Sequence, residues 1–242
     1  AETVSVLEPF PIGEDQGTLF SGHVAHGDFG GGIVYDTWLT LVNTSDIGAN
    51  VEAILYDNDG EYLDSFAAIN LGPRSKVVYN VGTMMGLSGT VTGYLKLDLK
   101  GLTGVVGCVT FGDATAGAFR SVLPLQSPRH RRFILGHIAN GTLDEIPFFT
   151  GLAVVNPYTT TQSVFLSAYD QNGVLLDTVK LFLQPNRRAI AMVDQVIPGL
   201  INIFGGYLVV ECDSIHPEFI VFELFGDTGL NFLSAVPAVP IE

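Results

Sequence analysis

One acidic turn carries the side chains whose types and spacing come nearest to a metal site. Asp57, Asn58 and Asp59 present three consecutive oxygen-bearing side chains, and Asp64 follows shortly after them. Ca²⁺ takes oxygen ligands of this kind, but an EF-hand loop also needs a longer run and a distant bidentate Glu. The turn is therefore a weak calcium candidate. With Gly60 supplying a positive φ, the same residues also fit a β-hairpin that needs no ion.

Residues suited to catalysis are scarce elsewhere in the chain. His23 and His137 occupy matching places in the repeat described below, but a zinc site needs three or four converging ligands. Neither histidine has a Cys or a second matched His nearby. A nucleophile elbow needs Gly-x-Ser-x-Gly after a strand, and the run Gly86–Gly89 lacks that spacing. We therefore expect a protein that is not an enzyme and has no cofactor.

Two aromatic residues offer another kind of chemistry, the stacking of flat rings. Trp38 is the only tryptophan, Tyr35 is close to it in sequence, and strand alternation places Trp38 on the face opposite Leu39 and Leu41. A solvent-facing Trp can stack on a sugar ring, and an aromatic that fills a seam between modules or subunits would occupy the same position. We favour a position at the seam between modules or subunits, because part of the surface of so apolar a chain is expected to be buried against another module or copy. Carbohydrate binding is the alternative.

The composition restricts the partners. The chain has 242 residues, of which 47% are hydrophobic and only 15% are charged, and its formal net charge is −14. Nucleic acid and anionic membranes both select clustered Lys and Arg, so an acidic chain with only 11 such residues argues against them. No apolar run reaches the roughly 18 residues that a transmembrane helix needs. Copies of the chain itself are the partners that best fit so apolar a surface.

The first residues of the chain, its cysteines and its sequons bear on its cellular location. The first residues, Ala1 to Val4, suit the new end left by signal-peptide cleavage, so we expect a secreted or cell-surface protein. Cys108 and Cys212 lie at positions that do not match in the repeat, and we expect two buried free thiols. The sequons at Asn43 and Asn140 are expected to be a strand end and a turn.

The elements that position these residues occur twice. Leu39–Asn43 (Leu-Thr-Leu-Val-Asn) returns as Leu152–Asn156 (Leu-Ala-Val-Val-Asn), and Tyr56–Gly60 returns as Tyr169–Gly173, each shifted by 113 positions. Each copy predicts short strands between turn signals, with helical turns only within 82–88 and 194–204. The predicted fold class is all-β, with two tandem antiparallel β-sandwich domains, Ig-like or jelly-roll-like, that arose by internal duplication.

The repeat also sets the domain boundaries. It predicts an N-terminal extension at 1–17, module 1 at 18–125, a linker at 126–132 and module 2 at 133–242. The extension has no counterpart in module 2. Its β-prone run consists of Thr3, Val4, Ser5, Val6 and Leu7. Such a run either completes an edge of a neighbouring subunit by β-strand addition, which repeated head to tail builds a filament, or packs on its own module.

A family resemblance follows from these motifs. The order Gly-His-x-Ala-x-Gly, Leu-x-x-Val-Asn, Tyr-Asp-x-x-Gly-x-x-Leu, Phe-Gly-Asp and a terminal Val-Pro resembles tandem Ig-like β-sandwich modules of secreted bacterial surface proteins, over residues 19–240. The motifs are turns and strand ends, and such modules often have no assigned activity. The resemblance implies an extracellular building block with a structural or adhesive role. We expect it to self-associate into a surface layer or filament.

Overall fold

The regular structure of the described residues is almost all antiparallel β-strand, so the all-β sandwich class is confirmed. The computed structural model describes residues 17–115, 117, 119–214 and 219–241. Two helical turns, α1 (Val81–Met84) and α2 (Val193–Val196), overlap the stretches predicted to hold them. No helix in these ranges is long and apolar enough to cross a membrane.

The strands, in chain order, are β1 (Thr18–Asp28), β2 (Val34–Asn43), β3 (Ala49–Tyr56), β4 (Tyr62–Leu71), β5 (Lys76–Asn80), β6 (Val91–Asp98), β7 (Val105–Asp113), β8 (Arg120–Pro124), β9 (Arg132–Leu135), β10 (Ala139–Leu143), β11 (Ile146–Val155), β12 (Gln162–Tyr169), β13 (Leu175–Leu183), β14 (Arg188–Met192), β15 (Ile203–Phe204), β16 (Tyr207–Cys212), β17 (Ile220–Asp227), β18 (Leu233–Pro237) and β19 (Val239–Pro240).

The described residues up to Ser127 form the first of two compact units. Their strands follow the order β4-β3-β6-β1-β2-β7-β8, and β5 pairs with β2. β1 joins the two layers, because it pairs with β6 along most of its length and with β2 at its end. Leu39 and Leu41 of β2 are fully buried, as are Val109 and Phe111 of β7. The alternation of apolar residues along these strands therefore builds the core of this unit.

The residues from Pro128 onward form the second unit. Here two short strands, β9 and β10, take the place of the single β1. β9 belongs to the sheet β13-β12-β16-β9-β19, and β10 to the sheet β15-β10-β11-β17-β18, to which β14 is added through β11. Apolar side chains of both sheets share one core, among them Leu152, Leu166, Leu208 and Val221.

A buried asparagine ties each sandwich together at a strand end. The Nδ2 of Asn43 donates hydrogen bonds to the carbonyl oxygens of Ile47 and Gly72, at 2.7 and 3.0 Å, and its Oδ1 accepts the Ser45 N–H at 3.0 Å. Asn156 makes the corresponding bonds in the second unit. The two copies of the sequence repeat therefore share a contact as well as a pattern. Their origin by duplication stays a prediction.

The connection between the units is shorter than the residue pattern indicated. The boundary falls between Ser127 and Pro128, inside the expected linker at 126–132. However, Gln126 exchanges two backbone hydrogen bonds of 2.8 Å with Phe20, and Arg132 opens β9. In sequence, polar residues at the end or the beginning of a strand resemble those of a solvated linker. The sequence pattern therefore placed Gln126 and Arg132 outside the modules.

Candidate functional site

The acidic turn is a hairpin whose carboxylate binds its own backbone. It joins the antiparallel strands β3 and β4, as the sequence predicted. The Oδ1 of Asp57 accepts the N–H groups of Asp59 and Glu61, both at 2.9 Å. Asp64 lies on β4, where its own Oδ1 accepts the Ser65 N–H at 2.7 Å. The carboxylates of Asp57 and Asp64 thus have a structural use within the turn and the strand beside it.

The second hairpin repeats this arrangement. The Oδ1 of Asp170 accepts the N–H groups of Asn172 and Val174, both at 2.8 Å. These hydrogen bonds lower the pKa of the Asp170 carboxyl, and the bond from the Val174 N–H contributes most. Across the described ranges, no three His, Cys, Asp or Glu side chains are grouped as a metal site requires. That the turn containing Asn58 needs no calcium stays a prediction.

β2 separates the two aromatic candidates. Its register with β7 is unbroken from Tyr35 to Asn43, so Tyr35 and Trp38 lie on opposite faces of the sheet. Trp38 is half-buried, and the guanidinium of Arg120 lies 5.1 Å from its ring centroid. The Tyr35 ring packs against that of Phe119, with centroids 5.6 Å apart. The two rings therefore do not form a common platform, and a sugar ring on this face of Trp38 would have to displace Arg120.

Tyr35 belongs to the packing of the first unit. Its ring also meets Phe29 edge to face, with centroids 5.2 Å apart. Burial, and after it the Asp113 carboxylate, raises the pKa of the Tyr35 hydroxyl. These contacts explain Tyr35 without a ligand. The interface role of Trp38 and carbohydrate binding through it stay predictions.

The cysteines and the sequon asparagines all lie on or beside strands of the two units. Both Cys108 and Cys212 are free, as predicted, but only Cys212 is buried, and Cys108 on β7 is half-buried. Asn43 ends β2 as predicted, whereas Asn140 lies within β10 and not in the expected turn, because it pairs with Ile203 of β15. Both side chains are buried, and the Nδ2 of Asn140 donates to the Leu200 carbonyl at 2.7 Å. Because the amide nitrogen that a glycan would modify is already bonded in the interior, neither sequon is accessible in the folded chain.

The assembly candidates Thr3, Val4, Ser5, Val6 and Leu7 lie outside the described residues. An outer strand of the second unit, by contrast, is well described and offers a place for association. β13 pairs with β12 on one side, and no other described strand pairs with it. Phe182 is 66% exposed and Leu175 is 53% exposed. We refer to Leu175–Leu183 as the β13 edge. A long outer strand with exposed apolar side chains is a template for a further strand.

The only basic residue on the β13 edge does not protect it. The Nζ of Lys180 lies 3.1 Å from Asp213 Oδ2 and 4.8 Å from the ring centroid of Phe165 on β12. The ion pair lowers the pKa of the Asp213 carboxyl, and the hydrogen bond that Lys180 donates is the largest cause. The ammonium also lies 5.5 Å from the ring centroid of Phe182 on β13 itself. Its ion pair with Asp213 holds it over the face of its own sheet and away from the open side, where an edge lysine usually repels other chains.

The corresponding outer strand of the first unit is interrupted. β4 carries a bulge between its pairs Val51–Ile69 and Ala53–Phe66, in addition to one beside the turn. β13 has only the irregularity beside the turn, and its pairing is regular from Asp177 to Leu183. A bulge bends and twists an edge and so hinders pairing with another strand. The β13 edge is therefore the more open of the two.

The sequence analysis predicted a strand after each turn but did not identify this edge. A signal was present: the offset between the copies falls from 113 at Asp64 and Asp177 to 112 at Leu71 and Leu183. One extra residue in the first copy is the sequence trace of the β4 bulge.

Comparison with known proteins assigns no family. No protein-family model matches the chain, and no curated protein matches it. The crystal structure of Thermotoga maritima 1070 is 12% identical, with a TM-score of 0.36, and the match covers 46% of this chain and 91% of that one. β-Glucuronidase 2 of Bacteroides uniformis is 12% identical at a TM-score of 0.19, over 91% of this chain and 26% of that one. Likenesses this weak carry no argument about function.

Proposed function

We propose that this chain is a non-catalytic, exported structural or adhesive protein that associates with copies of itself through the β13 edge. The observation that carries the proposal is the regular outer strand with exposed Leu175 and Phe182, with which no described strand other than β12 pairs. Backbone N–H and C=O groups along such a strand act as donors and acceptors for a neighbouring strand. The low fraction of charged residues, 15%, supports the same function, because charge is the usual means of keeping edges apart.

Two geometries of association are compatible with this edge. If β13 pairs with β13 of a second copy, the contact is two-fold and closes as a dimer. If β13 accepts residues 3–7 of the next copy, the contact runs head to tail and builds a filament or a surface layer.

The test is the dependence of mass on concentration, measured by light scattering for the wild type and for Phe182→Lys. We expect the wild type to associate and Phe182→Lys to associate at least about tenfold more weakly, because the new charge stands at the open edge. Ile201→Lys is the matched control, since Ile201 is 64% exposed in the same unit but lies outside β13. Both changes make a chain of net charge −14 less acidic, so net repulsion cannot explain a difference between them.

Removing residues 1–17 distinguishes the two geometries. Loss of association in the truncated chain supports strand addition by residues 3–7, and full association supports pairing between β13 edges. A wild type that stays monomeric at high concentration contradicts the proposal. Equal weakening by Phe182→Lys and Ile201→Lys contradicts the role of β13.

A further inference from the structure

A carboxyl group lies inside the second unit without a partner. Glu223 of β17 has no exposed surface, and neither of its carboxylate oxygens has a hydrogen-bond partner in the described part of the chain. An ionised carboxylate in such surroundings is strongly unfavourable, and proteins usually avoid this by pairing the charge or by keeping the group neutral. Among the described residues Glu223 has no pairing partner, which leaves the neutral form of the carboxyl group.

The residues around Glu223 show that it takes an apolar position. Val221 and Glu223 alternate along β17 onto the same face, and Val221 belongs to the core. Directly opposite Glu223 lie Leu152 on β11 and Val236 on β18. All three neighbours are hydrocarbon side chains, so none can share a proton or donate a hydrogen bond to the carboxyl group.

The first unit shows what the fold needs at this place. Val109 of β7 stands at the corresponding position, opposite Leu39 and Leu123, and all three are buried. The sandwich therefore packs with a valine here. Since packing does not require the carboxyl of Glu223, its presence sets the second unit apart from the first.

No charged group on the surrounding elements neutralises Glu223. β11 and β18 contain no titratable side chain. On β9, Arg132 is paired with Glu211, with 3.5 Å between nitrogen and oxygen. His137 packs on Phe225, which faces the same side of β17 as Glu223, and burial lowers the pKa of that histidine.

Two further charged groups lie near this sheet. Asp227 ends β17 and accepts hydrogen bonds from the side chain and N–H of Asn231. Arg188 on β14 is buried and pairs opposite Val155, three residues along β11 from Leu152. Neither hydrogen-bonds to the Glu223 carboxyl. The carboxyl is thus isolated from positive charge among the described residues.

We propose that the stability of the second unit depends on the protonation of Glu223. The unit packs fully only while this side chain is a neutral acid, and its packing loosens as the pH rises. Burial raises the pKa of Glu223 well above its usual value. A group whose pKa is raised by folding stabilises the fold fully below its unfolded pKa, about 4.5 for Glu, and this contribution is lost as the pH rises towards the folded value. The direction is opposite to that of the ordinary carboxylates, which destabilise a fold when acid protonates them.

The test compares thermal unfolding of the wild type, Glu223→Val and Glu223→Gln from about pH 5 to about pH 8. Glu223→Val restores the residue of the first unit, and Glu223→Gln keeps the shape without the charge. We expect the gain in melting temperature of Glu223→Val over the wild type to grow by several degrees across this range. Glu223→Gln should show the same trend with a smaller gain, because its amide is also buried. Glu145→Gln, an exposed site in the same unit, should run parallel to the wild type.

Hydrogen exchange locates the effect. After correction for intrinsic exchange, amides of β17 in the wild type should lose protection as the pH rises, whereas those of β7 should not. Parallel melting curves for the wild type and both Glu223 variants overturn the proposal. So does an NMR titration in which the Glu223 carboxyl carbon responds near the ordinary pH for Glu. Neither result depends on association, so failure here is distinct from failure of the β13 edge.

Discussion

At the scale of single residues, the strand-end asparagines do more than permit a turn. Asn156 is fully buried, and its Nδ2 donates to the carbonyl oxygens of Thr160, Leu183 and Gln184 at 2.8, 3.1 and 3.0 Å. One side chain therefore satisfies backbone groups of two segments that are distant in sequence. A buried carbonyl that loses its donor costs about 1 to 3 kcal/mol.

Asn156→Ala removes these donors. We expect the free energy of unfolding of the second unit to fall by about 2 to 3 kcal/mol, measured by urea denaturation. Gln171→Ala, at an exposed position in the same unit, is the control and should change it by less than about 0.5 kcal/mol. Equal effects of the two changes would contradict the role of Asn156 as a tie between segments.

The acidic hairpins give a second prediction at this scale. Because Asp57 and Asp170 each direct one oxygen to two backbone N–H groups, the turns are closed without an ion. Millimolar Ca²⁺ should leave the melting temperature unchanged, because a calcium site needs six to eight oxygen ligands. A clear rise that a chelator reverses would restore the calcium candidates, Asp57, Asn58, Asp59 and Asp64.

Residue types predicted some of this detail and not the rest. The Tyr-Asp-x-x-Gly pattern identified both hairpins, since turn chemistry is local. Tyr35 and Trp38 were grouped by closeness in sequence, but three positions along a strand lead to opposite faces. Glu223 could not be recognised as buried from its type, because glutamate is normally exposed. Only its alignment with Val109 in the other copy marks it.

At the scale of elements, the two outer strands show how one residue changes the behaviour of an edge. β4 and β13 follow equivalent hairpins, yet the bulge near Ile69 interrupts β4, and β13 is regular from Asp177 onward. The alternation of apolar residues predicted that both segments form strands. The place of a strand within its sheet depends instead on pairing between segments that are distant in sequence. The repeat therefore predicted the strands, and only the structure identified which of them lies outermost.

At the scale of the whole molecule, the composition and the β13 edge lead to a specific pairing between copies. If two β13 strands pair antiparallel about a two-fold axis, the two sheets continue into one, and the solvent-facing sides of both copies lie on the same side of that combined sheet. Pairing centred on Lys180 would place two lysines opposite each other, which is unfavourable. Pairing centred on Val179 places Thr178 opposite the partner's Lys180 and overlaps all nine residues of Leu175–Leu183. It also brings Phe182 towards the partner's Leu176.

This register predicts which cysteine can cross-link the two copies. In a Cys108→Ser background, Val179→Cys should form a disulfide-linked dimer under mild oxidation, because directly opposite Cα atoms lie about 4.5 to 5.5 Å apart, within disulfide reach. Thr178→Cys is the control. In the same register its two copies are offset by two residues along the strand, about 7 Å, which adds to the spacing between strands and prevents a bridge. Cross-linking at residue 178 but not at 179 would show a different register. A dimer that neither variant cross-links would rule out antiparallel β13 pairing centred on residue 178 or 179.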